Sequence, residues 1–228
     1  MSAGIFITAT GTEVGKTFVT AALCHQFKKA GKAIHAIKPI ISGVNDTMMA
    51  ETDTAIIAES LGLPCTEATF NTISPFRYKA PLAPAMAAAQ EGKILDYDAL
   101  LTFCTQALTK STPCLIEGVG GSFVPLTAQK LVADWIKDLN IASIVVAGSY
   151  LGTLSHITAT LEAMAARGLP VKALVICESA GENHPDFTAT VDQARTWTDI
   201  PIVAQPRLSG PRPWKHAANL LPYAAPET

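Results

Sequence analysis

Four short stretches of the chain carry residue types suited to holding and activating an anionic group. The first is Thr10-Gly11-Thr12-Glu13-Val14-Gly15-Lys16-Thr17, between an apolar run, Gly4 to Ala9, and a helix-like segment that starts at Lys16. It reads as a P-loop: glycine lets backbone N–H groups turn toward phosphate oxygens, and the helix start adds its dipole. Lys16 offsets charge on the terminal phosphates, and the Thr17 hydroxyl can ligate Mg2+. The strict pattern has glycine where this chain has Thr10, with Gly11 beside it. The second stretch is Glu117, which closes the apolar run Cys114 to Ile116 and leads into Gly118-Val119-Gly120-Gly121. A carboxylate in that position is poorly explained as a solvated charge. It suits the magnesium site that a phosphate loop requires, and the glycine turn lets the chain pass close to phosphates. Asp53, in Glu51-Thr52-Asp53-Thr54, is a further carboxylate, although an Asp before a helical patch is also favoured as a plain N-cap. The fourth stretch is Ile37-Lys38-Pro39, with Ser42-Gly43 just beyond. Proline fixes the chain's exit there, so the Lys38 ammonium can face the first loop and stabilise developing charge; the plainer reading is a lysine that snorkels at a strand end.

The elements that must position these groups follow from periodicity. Short apolar runs at Gly4 to Ala9, Ala33 to Ile37, Cys114 to Ile116, Ile141 to Ala147, Val171 to Cys177 and Pro201 to Ala204 read as strands. Helical segments are expected over Lys16 to Ala30, Asp96 to Lys110, Leu131 to Leu139, Thr153 to Arg167 and Asp186 to Thr196. Strands without in-out alternation suit burial on both faces, so the fold class predicted is α/β, an open, mostly parallel sheet flanked by helices and P-loop NTPase-like. The middle, Asn45 to Gly92, has two helical patches and a Pro-containing stretch, Ser74 to Pro84, without a clear strand. It is expected to pass over the strand ends, where open parallel sheets bind ligands. The Pro-rich tail, Pro206 to Pro226, reads as irregular surface chain.

With 228 residues, 49% hydrophobic and 16% charged, the chain can bury one sizeable core, and a single domain over 1–228 is expected. A net charge of -2 offers no basic field for nucleic acid or an anionic membrane surface. The five cysteines form no C-x-x-C pair, which suits a reducing compartment; with no signal-like or membrane-spanning run, a cytoplasmic protein is expected.

Taken together, Thr-Glu-Val-Gly-Lys-Thr at 12–17, Lys38-Pro39 with Ser42-Gly43, Asp53, and Glu-Gly-x-Gly-Gly at 117–121 resemble dethiobiotin synthetase in order and spacing. Further similarity lies in Ala80 to Pro84, Ala89 to Gly92, Pro125-Leu126, Asp134-Trp135 and Leu151-Gly152-Thr153 with His156, so that the resemblance extends to about position 170. It implies ATP-dependent ring closure of 7,8-diaminononanoate (7,8-diaminopelargonate) with CO2 to dethiobiotin in a homodimer. It also implies roles. Glu13, Val14, Gly15, Lys16, Thr17, Phe18, Asp53, Glu117, Gly118, Val119 and Gly120 would hold the nucleotide, with Thr17, Asp53 and Glu117 around Mg2+. Lys16 and Lys38 would be catalytic. Thr12, Lys38, Ser42, Gly152 and Ser155 would contact substrate, the last two across the dimer.

The chain departs from the family's pattern at several positions. Thr8-Ala9-Thr10-Gly11-Thr12 stands where the family usually has Thr-Gly-Thr-Asp-Thr, Ala85 where it often has His, and Ser155 where it often has Asn. Glu178-Ser179 stands where an Asn-Asp pair commonly reads adenine; an ionised carboxylate only accepts hydrogen bonds, so weaker discrimination among nucleoside triphosphates is expected.

Rival readings are a ligase related to the cobyrinic acid diamide synthase group, a partitioning-type ATP switch and a small-molecule kinase. The first carries a glutaminase portion for which this chain has no room. The second has an early loop lysine where this chain has Gly11, and the third lacks support because the arginines are scattered. His25 and His35 lack metal-ligand spacing, Cys114 reads as an inert core thiol, and Trp135, Trp197 and Trp214 read as packing residues.

Overall fold

The computed structural model describes residues 4–44, 52–110, 112–181 and 184–224. Six strands form one parallel sheet: β1 (Gly4–Ala9), β2 (His35–Ile37), β5 (Cys114–Glu117), β6 (Ala142–Gly148), β7 (Val171–Cys177) and β8 (Ile202–Gln205), in the order β2-β5-β1-β6-β7-β8. Successive residues of these strands point to opposite faces. Phe6, Ile37, Ile116, Val145 and Ile176 enter one buried cluster, while Ile7, Ala36, Leu115, Val146 and Val175 enter the other. Both faces are therefore covered, which is why the strands read as continuous apolar runs. Helices α5 (Tyr97–Leu108), α6 (Val132–Leu139), α7 (Thr153–Ala166) and α8 (Phe187–Arg195) cover the first face. There Trp135 of α6 meets Phe6 edge-on with centroids 4.8 Å apart. The second face is covered by α1 (Lys16–Lys29), α2 (Asp53–Leu61) and the end of α3 (Glu67–Ile73).

The middle of the chain holds more structure than its sequence announces. Besides α2, α3 and α4 (Pro84–Gln90), it contains β4 (Phe76–Tyr78), which pairs in parallel with β3 (Ile40–Ser42) as a separate two-stranded sheet. Three residues beside Pro75 are too few to display alternation, and the pair exists only because the chain returns over the strand ends. The start of the expected excursion, residues 45–51, lies outside the described residues.

The tail also differs from expectation. A 3-10 turn, Pro213–His216, and α9 (Leu221–Ala224) carry Trp214, Leu220 and Ala224 into the core against α1. The Gln26 side chain locks them there, donating to the Ala218 carbonyl and accepting from the Leu220 N–H. Trp197, expected to pack, is instead 70% exposed. All five cysteines are unpaired. Among the described residues, no helix is long and apolar enough to cross a membrane.

Candidate functional site

Every element of the site leaves the carboxyl edge of the sheet. The loop after β1 turns through Glu13 and Gly15, both with positive φ at 59° and 103°. Alternation of this kind points successive N–H groups inward as an anion cradle. Gly15 is required twice over: its φ disfavours any side chain, and an added Cβ would lie 2.9 Å from Cys177 Sγ. Gly11, by contrast, has ordinary φ, and a Cβ added there would meet only open space, so it does not replace the missing glycine at position 10. Gly15 is also the N-cap of α1, which has no side-chain cap and no acidic residue in its first turn, leaving its dipole open to an anion. Lys16, only 7% exposed, donates to the Gly11 carbonyl at 3.0 Å.

Glu117 is completely buried. Strand alternation puts it on the same face as Leu115, toward α1, where Thr17 and Thr20 donate to its two oxygens at 2.7 and 2.6 Å. The register that pairs Ile37 with Ile116 brings Lys38 beside Glu117, and the Lys38 Nζ donates to the carboxylate at 2.8 Å. The same ammonium donates to Asp53. Asp53 is not the cap of α2; that is Thr52, whose hydroxyl accepts from the Ala55 N–H at 3.3 Å. As the first helical residue, Asp53 instead turns its carboxylate onto Lys38.

Burial opposes ionisation of all three groups that titrate away from their ordinary values. It lowers Lys16, with help from the Lys38 charge and against Glu117 and Asp53, to about 8. For Lys38 burial is outweighed by Glu117 and Asp53, so its pKa is raised. For Asp53 burial is outweighed by Lys38 and by the Thr17 hydroxyl, so its pKa is lowered. Two lysines and two carboxylates thus meet in one site, with Glu117, Lys38 and Lys16 buried and the Asp53 side chain 43% exposed to the cleft.

The glycine turn after Glu117 stays against the phosphate loop: an added Cβ on Gly121 would lie 3.1 Å from the Thr10 carbonyl oxygen, and Ser122 donates its N–H to Ala9 at 2.8 Å. A cleft of about 700 Å³ opens over these groups, lined by Thr12, Glu13, Gly15, Lys16, Thr17, Phe18, Lys38, Ser42, Asp53, Val119 and Gly120, with Pro81 to Pro84 as the facing wall. Val14 lines a second cleft on the far side of the loop. Gly118 lines neither and packs under the Phe6 ring. Gly152 and Ser155 are exposed at the start of α7 and also lie outside both clefts. Thr20 carries no motif of its own; its spacing of three from Thr17 on α1 is the one sequence signal that puts both hydroxyls on the face that meets Glu117.

A parallel sheet with a lysine-bearing phosphate loop after its central strand, and a buried carboxylate ending the neighbouring strand, defines a P-loop nucleotide-dependent protein. The chain matches the family described as AAA domain over residues 3–207. It is 38% identical to the ATP-dependent dethiobiotin synthetase BioD of Methylobacterium nodulans, over 84% of this chain and 88% of the relative. It is 37% identical to the protein of the same name from Phenylobacterium zucineum, over 93% and 92%. The chain belongs to the ATP-dependent dethiobiotin synthetase family. Among solved structures, it is similar to the septum site-determining protein MinD from Pyrococcus horikoshii complexed with Mg-ADP, with a TM-score of 0.51, 16% identity, and coverage of 90% of this chain and 82% of that one. That likeness is one of fold alone.

Proposed function

We propose that the whole chain, 1–228, acts as one synthetase domain that uses ATP to close 7,8-diaminononanoate and CO2 into the ureido ring of dethiobiotin, working in the cytoplasm as a homodimer. The observation that carries the reading is the Lys38 ammonium, buried between Asp53 and Glu117 in the same cleft as Lys16. One amine of the substrate takes up CO2 as a carbamate. A carbamate oxygen attacks the γ-phosphorus and ADP leaves; the second amine then attacks the carbonyl carbon and phosphate leaves, closing the ring. Each step gathers negative charge where two cationic side chains are already fixed. Lys16 and Lys38 offset the charge on the carbamate and on the transferring phosphoryl group without reorganising.

A hydroxyl and two carboxylates are the hard oxygen donors that suit Mg2+, so Thr17, Asp53 and Glu117 are assigned to it. When bound, the ion supplies charge neutralisation at the β- and γ-phosphates. Among the described residues no group of three or more His, Cys, Asp or Glu is placed to hold a metal ion. Thr12 and Ser42 orient the diamine. The exposed helix start at Gly152 to Ser155 is assigned to the substrate's carboxylate in a second copy of the chain.

The test is incubation with Mg-ATP, labelled bicarbonate and 7,8-diaminononanoate, followed by mass spectrometry. Labelled dethiobiotin with release of phosphate is expected, and Lys38→Ala should abolish it while leaving a folded, nucleotide-binding protein. Hydrolysis of ATP without labelled product would reject the substrate, and near-normal turnover in the variant would remove Lys38 from the mechanism.

A further inference from the structure

The Lys38–Asp53 pair joins the end of β2 to the first residue of α2, and one short segment after α3 touches both elements. The Ile73 carbonyl accepts from the Lys38 N–H at 3.1 Å, and the Phe76 N–H donates to the Pro39 carbonyl at 3.0 Å. Between them stands Ser74, wholly buried. Its hydroxyl shares a 2.7 Å hydrogen bond with that of Thr54, the residue after Asp53, which is itself only 2% exposed. The segment from Ile73 to Phe76 thus grips Lys38-Pro39 by its backbone and α2 by a side chain.

Consecutive residues of a helix point about 100° apart, so whatever fixes the direction of Thr54 also fixes that of Asp53. A single torsion separates the Thr54 hydroxyl from the backbone, so its bond holds the helix itself. The packing of Ile57 and Ala58 into the cluster shared with α1 works differently. Apolar burial is non-directional and sets no rotation about the helix axis. The Thr52 cap bond to the Ala55 N–H lies within the helix's own first turn. At the far end, the contacts of Arg212 with Glu59 and of Lys28 with the Leu61 carbonyl are exposed.

We propose that Thr54 and Ser74 are positioning residues for the Lys38–Asp53 pair, their buried bond turning the first turn of α2 so that Asp53 stays against the Lys38 ammonium. Neither lines the cleft, and both act through Asp53. The consequence for catalysis rests on the function proposed above. A purely structural bond would contribute stability without changing what Asp53 contributes. A positioning bond makes the two contributions depend on each other.

Denaturant unfolding of the nucleotide-free, full-length protein reads that dependence without turnover. Asp53→Asn should raise the unfolding equilibrium constant about 10-fold in the parent, but no more than about 2-fold in Ser74→Ala, where Asp53 has already left the ammonium. Losses equal within about 2-fold in the two backgrounds would overturn the proposal. Thr54→Val should behave as Ser74→Ala does, and Thr54→Ser, which keeps the hydroxyl, as the parent does. A serine variant that matched the valine one would assign the effect to packing and overturn the proposal too. The combined Ser74→Ala/Thr54→Val variant strands neither hydroxyl, so it should regain stability lost in Ser74→Ala, and it carries the same comparison if Ser74→Ala does not fold. Its kcat for ring closure should nonetheless stay about 10-fold or more below the parent's, with KM for ATP within about 3-fold. Recovery of kcat together with stability would mark a merely structural bond. Dependent losses without ring closure in the parent would keep the positioning role and reject the synthetase; ring closure with independent losses would do the reverse.

Discussion

Glu117→Gln keeps the shape of a completely buried side chain and removes its charge. The carboxylate accepts from Thr17 at 2.7 Å, Thr20 at 2.6 Å and Lys38 at 2.8 Å. In the amide, the oxygen in place of Oε1 still accepts from Thr17 and Lys38. The NH2 group faces Thr20, whose hydroxyl hydrogen is free to turn wholly to the Lys16 carbonyl, 3.1 Å away. No partner is stranded, so the two threonine bonds become neutral and the Lys38 bond keeps only the ammonium's charge, at about 1 kcal/mol for each of the three changes. Asp53 still accepts from Lys38, which keeps the ammonium from being left as a wholly unpaired buried charge. A loss of about 3 kcal/mol lowers the Tm of a chain of this size by about 6 to 12 °C. Calorimetric scanning of the nucleotide-free protein at neutral pH measures it directly. A variant as stable as the parent, or more so, would mean that burying the Glu117 charge costs more than its three bonds offset, and would refute the reasoning. On the proposed mechanism, kcat for ring closure should fall by about 10²- to 10³-fold in the same variant.

Lys16 titrates at about 8 in the folded chain against 10.5 for an ordinary lysine. The folded state therefore holds fewer protons than the unfolded one between those values, so nucleotide-free stability should rise with pH across that window. Polyphosphate bound at the loop restores the charge, so binding at about pH 9 should take up a proton. Titration calorimetry in buffers of different ionisation enthalpy would show it, and a heat independent of buffer would contradict the assignment. Trp214, 6% exposed and edge-on to His25 at 5.6 Å, anchors the tail on α1. Trp214→Ala should cost about 3 to 5 kcal/mol by denaturant unfolding; a loss below about 1 kcal/mol would place the tail outside the core.

Much of the site could be read from the chain because its chemistry is local. The strand-loop-helix setting of Lys16 and Thr17, and a carboxylate ending an apolar run at Glu117, each span only a few residues, and backbone rules act at that range. The strand-end rule then placed Lys38 on the correct edge of the sheet. The partnership of Lys38 with Glu117 crosses 79 positions and exists because β2 lies beside β5, an order that periodicity does not encode. Asp53 looked like a cap because capping and ion pairing use the same residue; the packing of α2 on α1 decided between them. The pairing of β3 with β4, the exposure of Trp197 and the burial of Trp214 likewise depend on which surfaces meet. Residue types and their short spacings determined what chemistry this protein can do. Only the tertiary structure decided which charges neutralise one another and which remain for a ligand, because that balance depends on distances between segments remote in the chain.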